Sequence, residues 1–293
     1  MAAQLGKIGI WTGAMPNDPA EASAAAAVLE DCGYSAVWLG GWSQGDLARP
    51  EALLAATERL IVATGILDVW TSPAPVVAAN HHRLVTAYPD RFILGLGSSH
   101  AVLVEAMTEE SYVKPLSRLR SFLDDLDAAE VPVPVGERVL AALGPKALAL
   151  AAERSAGAHP YLVTPEYTAI AREQLGEGPL LAVEQKVVVT TDADEARRAG
   201  RRSLAIYMTL PNYLNNLRRL GFDDDDFADG ASDRLVDALV AWGDLDTVKQ
   251  RIDAHLDAGA DHVAVQVLWS GDERALPVPA WKELSAILPA YAA

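Results

Sequence analysis

Apolar positions along the chain fall into short uncharged runs separated by longer amphipathic or Ala-rich stretches. Lys7–Gly13 (KIGIWTG) predicts a first strand. Asp18-Pro19 then opens a helix through Cys32 that stops at Gly33, with Asp18 as N-cap and Gly33 as the turn that ends it. Ala36–Gly41 (AVWLGG) predicts a second strand, Pro50–Leu60 a helix, Ile61–Val69 (IVATGILDV) a third strand and Pro75–Tyr88 another helix. The fourth strand is the most informative stretch. Arg91–His100 reads RFILGLGSSH, an apolar run without charge after its first residue that ends in two glycines, two hydroxyls and an imidazole. Such a run suits a strand buried on both faces, as in a parallel sheet. Its small residues would let a ligand approach the backbone, although a plain core strand with a glycine turn gives the same pattern.

The order so far is β-α-β-α-β-α-β, which implies parallel strands with right-handed crossovers. Residues 101–136 break the rhythm and read as an insertion carrying a helix at Ser117–Ala129. Alternation resumes with strands at Glu137–Leu143, Pro160–Thr164, Gln185–Thr190 and His262–Leu268. The helices between them begin at Gly144-Pro145-Lys146, Pro165, Asp192 and Leu245, with an extra helix at Ser232–Trp242 and an irregular segment over 205–230. Eight strands alternating with helices in 293 residues predict a (β/α)8 TIM barrel, one domain over 1–293, with insertions after the fourth strand and around strands seven and eight. An open doubly wound sheet is the alternative, but neither the first strand–helix junction nor the turn after the fourth strand carries GxGxxG.

Composition narrows the partners. A net charge of −16 leaves no basic face for nucleic acid. No apolar run is long enough to span a bilayer, and the chain enters a strand at once, so neither a membrane partner nor a leader is expected and the protein reads as cytoplasmic. Cys32 is the one cysteine, which excludes an internal disulfide or a thiolate cluster. Asp223–Asp226 lacks the spaced ligands of a calcium loop and reads as a solvated turn.

In a barrel, chemistry sits at the C-terminal ends of the strands. Here those ends carry Trp11, Gly40-Gly41-Trp42, Asp68-Val69-Trp70, Ser98-Ser99-His100, Gly144-Pro145-Lys146, Thr164 and Trp269. Facing carboxylates for glycoside hydrolysis are missing, because Asp68 has no evident partner. A metal site is not expected either: His81 and His82 are helix neighbours that point apart, and His255 and His262 lie away from the strand ends. Tryptophans, glycines and hydroxyls suit a planar aromatic ligand, with Trp11, Trp42 and Trp70 as candidates for the pocket. Gly144-Pro145 at a helix start offers amides for a phosphate, or is an ordinary helix start. Tyr207, Asn212, Tyr213 and Asn216, from the irregular segment, are candidates for the pocket wall or for helix packing.

The stretches ATGILDVWTSPAP, PDRFILGLGSSH, VLAALGPKALALAAERSAGAHPYLVTPEY and SDRLVDALVAWGDLDTVKQRIDAHLDAGADHVAVQVL resemble, in that order and over nearly the whole chain, the luciferase-like monooxygenase superfamily. The branch they are most similar to is that of oxidoreductases assigned to the deazaflavin coenzyme F420. The resemblance implies a flavin or deazaflavin at the barrel mouth and a homodimer. It implies a non-prolyl cis peptide near Leu67-Asp68-Val69 that supports the ring, with Ser98 and Ser99 beside the cofactor. It also implies a phosphate held by amides at Gly144, Pro145 and Lys146, with Thr164 nearby. Where deazaflavin-dependent sugar-phosphate dehydrogenases of the superfamily place a catalytic acid, this chain has His100. Where relatives often show Asp-His after the second strand, it has Gly40-Gly41-Trp42.

Three functions follow as expectations. The first is an oxidoreductase moving a hydride between F420 and a small organic substrate, with His100 handling the coupled proton. The second is an FMN-dependent monooxygenase that uses 205–230 as a lid. The third is a barrel that binds a flavin or deazaflavin without catalysis, with His100 bonding only a loop carbonyl.

Overall fold

The computed structural model describes residues 5–41, 45–109, 111–269 and 275–291. Its strands are β1 (Ile8–Thr12), β2 (Ala36–Leu39), β3 (Ile61–Thr64), β4 (Leu67–Asp68), β5 (Phe92–Gly97), β6 (Arg138–Leu140), β7 (Gly157–Ala158), β8 (Leu180–Val189), β9 (Val240–Gly243) and β10 (His262–Val267). All pairings are parallel. The sheet closes because β10 pairs with β1 on one edge, Ile8 opposite Val263, and with β8 on the other, His262 opposite Ala182. β3 and β4 together fill one barrel position, and β9 extends the far end of β8. The fold is therefore the expected (β/α)8 barrel. No helix among the described residues is long and apolar enough to cross a membrane.

Local chemistry explains the elements that match. Asp18 accepts from the amides of Ala20 and Glu21, opening the helix Pro19–Asp31, and Gly33 ends it with φ of +89°. Asp192 caps Ala193–Leu204 in the same way, through the Glu195 amide. Inside the barrel, Ala36, Ala63, Ala182 and Ala264 leave room for one large residue, Trp38, which is fully buried. Trp38 stacks on His159 at 4.1 Å and donates to His262 Nε2 at 3.1 Å. His262 therefore carries its proton on Nδ1, which donates to the Gly6 carbonyl at 2.6 Å.

Four expectations change. The third strand is broken: Gly65-Ile66, a cis peptide, separates β3 from β4, so the cis bond lies two residues before Leu67-Asp68-Val69. The sixth strand is Gly157–Ala158 rather than 160–164. At Gly157 an added Cβ would lie 1.9 Å from the Leu180 carbonyl oxygen, a contact only glycine allows, while Leu162 turns away with φ of +60°. The seventh strand starts five residues earlier than expected, at Leu180. The extra helix ends at Leu239, and Val240–Gly243 is a strand. Leu235, Val236 and Leu239 supply helical spacing just before its β-branched, aromatic and glycine residues, so the periodicity alone continues the helix into the strand.

The glycines of the fourth predicted strand, β5, serve the sheet rather than a ligand. A Cβ on Gly95 would lie 1.9 Å from the Thr64 carbonyl oxygen, and one on Gly97 would lie 2.8 Å from the Ile66 side chain. Thr64 Oγ1 also donates to the Gly95 carbonyl at 2.7 Å and accepts the Gly95 amide at 2.8 Å. The close approach locks the break between β3 and β4 against the strand that carries His100.

Candidate active site

A cavity of about 420 Å³ opens at the C-terminal ends of the strands. Its floor is Trp11 from the end of β1, Gly65-Ile66 from the break, and His159 after β7. Trp11 Nε1 donates to the Gly65 carbonyl at 3.0 Å, which fixes the indole across the barrel. One wall is aromatic. Ring centroids run from Trp11 to Tyr161 at 5.0 Å, Tyr161 to Tyr207 at 5.3 Å, Tyr207 to Tyr213 at 5.1 Å, and Tyr213 to His100 at 5.5 Å. The opposite wall is aliphatic, with Leu103, Leu116 and Leu119 from the insertion after β5.

The cavity brings together Trp11, Gly41, Asp68, Ser98, Ser99, His100, Gly144, Tyr207, Asn212 and Tyr213 of the residues singled out in the sequence. Ser98 donates to the Pro115 carbonyl at 3.2 Å, and the Ser99 carbonyl accepts from Tyr112 at 3.1 Å, so both serines fasten the insertion to the strand end. Burial holds the His100 imidazole below its ordinary pKa, and no hydrogen-bond partner engages it among the described residues. Burial pushes the Asp68 carboxyl up, against hydrogen bonds from the Trp70 amide and the Thr71 hydroxyl.

Other candidates sit elsewhere. Leu67 and Val69 are buried in the core and do not line the cavity. Trp70 packs on Tyr112 and Arg118 and borders a neighbouring cavity of about 700 Å³. Thr164 is buried, and its hydroxyl caps the helix Pro165–Leu175 through the Tyr167 amide. Pro145 and Lys146 are exposed at the start of the helix Pro145–Arg154, outside the cavity lining. Pro145 has no N–H and the Ala147 amide is bonded to the Gly144 carbonyl, so Gly144 and Lys146 carry the amides an anion could use there. Asn216 is a buried residue of the helix Pro211–Arg219 and does not line the cavity. Trp42 lies outside the described residues.

Sequence reasoning missed the polar groups of the barrel interior. His159 donates from Nδ1 to the Ala182 carbonyl at 2.8 Å, leaving Nε2 as a buried acceptor without a partner. Glu184 and Lys186 alternate along β8 on the face of Ala182, and join Tyr161 and Gln266 in one network. The signal was present: two opposite charges flanking Gln185 within a strand whose other residues are all apolar.

A planar tricyclic ring fits this cavity. Its walls are aromatic and aliphatic, Gly144 lines it with nothing within 4 Å of where a Cβ would stand, and His159 Nε2 is a buried acceptor without a partner beside Gly65. Among the described residues, no group of His, Cys, Asp and Glu could hold a metal ion.

Comparison with known proteins agrees with this fold. Residues 3–130 match the family model described as luciferase-like monooxygenase. A Mycobacterium tuberculosis protein named as a candidate coenzyme F420-dependent oxidoreductase is 26% identical, over 88% of this chain and 93% of its own. Among solved structures, an F420-dependent secondary alcohol dehydrogenase in complex with an F420-acetone adduct superposes with TM-score 0.75 at 15% identity, covering 99% of this chain and 100% of that one. The F420-dependent tetrahydromethanopterin reductase of Methanopyrus kandleri gives 0.74 at 19% identity, covering 98% and 100%. The FMN-bound oxygenating constituent of 3,6-diketocamphane monooxygenase from Pseudomonas putida gives 0.71 at 15%, covering 99% and 98%. The chain is thus similar to luciferase-like monooxygenases over residues 3–130 and shares the barrel fold of these structures over nearly its whole length.

Proposed function

We propose that this protein is an oxidoreductase that transfers a hydride between coenzyme F420 and a small organic substrate at the barrel mouth. The observation that carries the reading is one cavity lined both by Trp11 and Gly65-Ile66 and by the imidazole of His100, which has no hydrogen-bond partner among the described residues. The F420-named relative and fold neighbours support the choice of cofactor. When bound, the deazaflavin supplies two-electron chemistry, exchanging a hydride with a substrate carbon.

The chain's own residues do the rest. Trp11, Ile66 and the aliphatic wall would exclude water from around a bound ring. Gly144 and Lys146 would offer their amide N–H groups to the cofactor's phosphate at the start of the helix Pro145–Arg154. His100, neutral near pH 7 because burial lowers its pKa, takes the proton released when the substrate is oxidised and returns it in the reverse direction. His100→Asn should fold, keep F420 affinity within a few-fold and lose roughly 10²–10⁴ in turnover. Unchanged turnover would remove His100 from the mechanism.

An FMN-dependent monooxygenase is the second reading. Ile206, Tyr207, Leu210 and Tyr213 from the 205–230 segment border the cavity, as a lid over a peroxyflavin would require. Oxygen uptake with reduced FMN, and none with reduced F420, would favour it. In either reading the protein acts as one cytoplasmic barrel domain over 1–293 that pairs as a homodimer, using apolar positions such as the exposed Val76 on the helix Ala74–Ala87. Light scattering that returns the mass of a single chain at micromolar concentration would remove the dimer.

A further inference from the structure

Beneath the aromatic wall lies a charged pair that the proposed chemistry does not use. Lys186 is fully buried, and its ammonium donates to Glu184 Oε1 at 3.0 Å, Gln266 Oε1 at 2.7 Å and the Tyr161 hydroxyl oxygen at 2.7 Å. All three of its hydrogens are thereby used. The second oxygen of Glu184 accepts the Leu162 amide at 3.0 Å. The ion pair is saturated inside the protein and has nothing left for a ligand.

One hydrogen in the network has a choice. The Tyr161 hydroxyl lies 2.9 Å from Gln266 Oε1 and 2.9 Å from the Tyr207 hydroxyl. Tyr207 lines the cavity and has no other hydrogen-bond partner among the described residues. When Tyr161 donates to Gln266, Tyr207 donates to Tyr161 and presents lone pairs to the cavity. When Tyr161 donates to Tyr207, the hydrogen of Tyr207 faces the cavity instead. Turning two hydroxyls thus inverts the polarity of one point on the pocket wall, with no heavy atom moved.

We propose that Tyr207 is the contact for the substrate oxygen, and that the substrate is an uncharged, largely apolar alcohol–ketone couple. The proposal rests on the oxidoreductase reading above. A resting alcohol finds in Tyr207 an acceptor for its O–H and turns that hydrogen to His100 when it reacts, whereas a ketone needs a donor at its C=O, so interconverting them reverses the demand on Tyr207. The Tyr161 hydroxyl meets both demands by switching between two acceptors. Tyr161 and Lys186 are positioning residues: Lys186 occupies a lone pair of Tyr161 and makes the donor state of Tyr207 stronger. Among the described residues no Lys or Arg lines the cavity, and Asp68 is its one acid, so a carboxylate or phosphate on the substrate would find no counter-charge.

The test uses the full chain without cofactor and cyclohexanone labelled with ¹³C at the carbonyl. Bound to the wild type, the C=O stretch should lie at lower frequency than in Tyr207→Phe, and the variant should bind the ketone about two- to tenfold more weakly. Tyr161→Phe, which cuts Tyr207 off from Lys186, should give an intermediate frequency. Cyclohexanecarboxylate should bind the wild type at least about tenfold more weakly than the ketone. Equal stretches in wild type and Tyr207→Phe, no ketone binding at millimolar concentration, or equal binding of the carboxylate would overturn the proposal. A Tyr161→Phe stretch equal to that of the wild type would remove Tyr161 and Lys186 from it. F420 binding together with an unshifted ketone overturns this inference alone; a shifted ketone without F420 binding overturns the proposed function alone.

Discussion

Trp11 and Gly65, fifty-four residues apart in sequence, are joined by a 3.0 Å hydrogen bond from the indole nitrogen to the carbonyl oxygen. The bond ties the end of β1 to the break between β3 and β4 and makes the two one floor. Trp11→Phe keeps an aromatic ring there but leaves the carbonyl without its donor. The variant should lose about 1–3 kcal/mol of stability, the cost of a part-buried carbonyl left unpaired. Denaturant unfolding reads it, and an unchanged midpoint would show that the bond is not needed to hold the floor.

Gly144 lines the cavity with an ordinary φ of −91°, and an added Cβ meets nothing within 4 Å. Gly144→Val should therefore fold as the wild type does. Its side chain would occupy space beside the two amides that could serve an anion, so F420 affinity should fall. Calorimetry that finds equal affinity in a folded variant would move the phosphate site elsewhere.

Buried histidines set the acid limit of the fold. Burial lowers His81, His159 and His262 to about 4 and His255 to about 3. His255 accepts from Thr168 and donates to Gln185, each at 2.8 Å, and this neutral tautomer would be lost on protonation. In the unfolded chain these groups titrate near 6.5. Above that pH both states are neutral and the histidines add no pH dependence. As pH falls from about 6.5 toward 4, the unfolded chain binds protons that the native state refuses, and stability drops by up to about 1.4 kcal/mol per unit for each histidine. The melting temperature should thus be flat above pH 7 and fall steeply below 6. A melting temperature that holds level to pH 4.5 would contradict these shifts.

Lys186→Met strands the Glu184 carboxylate inside the barrel, because the ammonium 3.0 Å away is its charge partner. A loss of about 3–5 kcal/mol is expected. Adding Glu184→Gln removes the stranded charge and should restore much of it. If the double variant is no more stable than the single one, the pair is not coupled as the geometry requires.

Much of the fold was legible because a parallel barrel writes itself in uncharged strands and capped helices. Asp18, Gly33 and Asp192 announced their helix ends by chemistry that acts within a few residues. The misplaced sixth strand shows the limit. Gly157–Ala158 is a strand of two residues, defined by its approach to Leu180 across the sheet, and no local pattern encodes that approach. The site divides the same way. His100 and Trp11 stand at strand ends and could be read from position alone. Tyr161 from the loop after β7, Lys186 from within β8 and Gln266 from β10 are far apart in sequence, so only the closed barrel brings them together.

Titration of the purified full chain with oxidised F420, followed by quenching of tryptophan fluorescence, asks whether the cavity is a deazaflavin site. Saturable one-to-one binding is expected, weakened by Gly144→Val and kept within a few-fold by His100→Asn, with FMN binding more weakly. No F420 binding alongside tight FMN binding would contradict it.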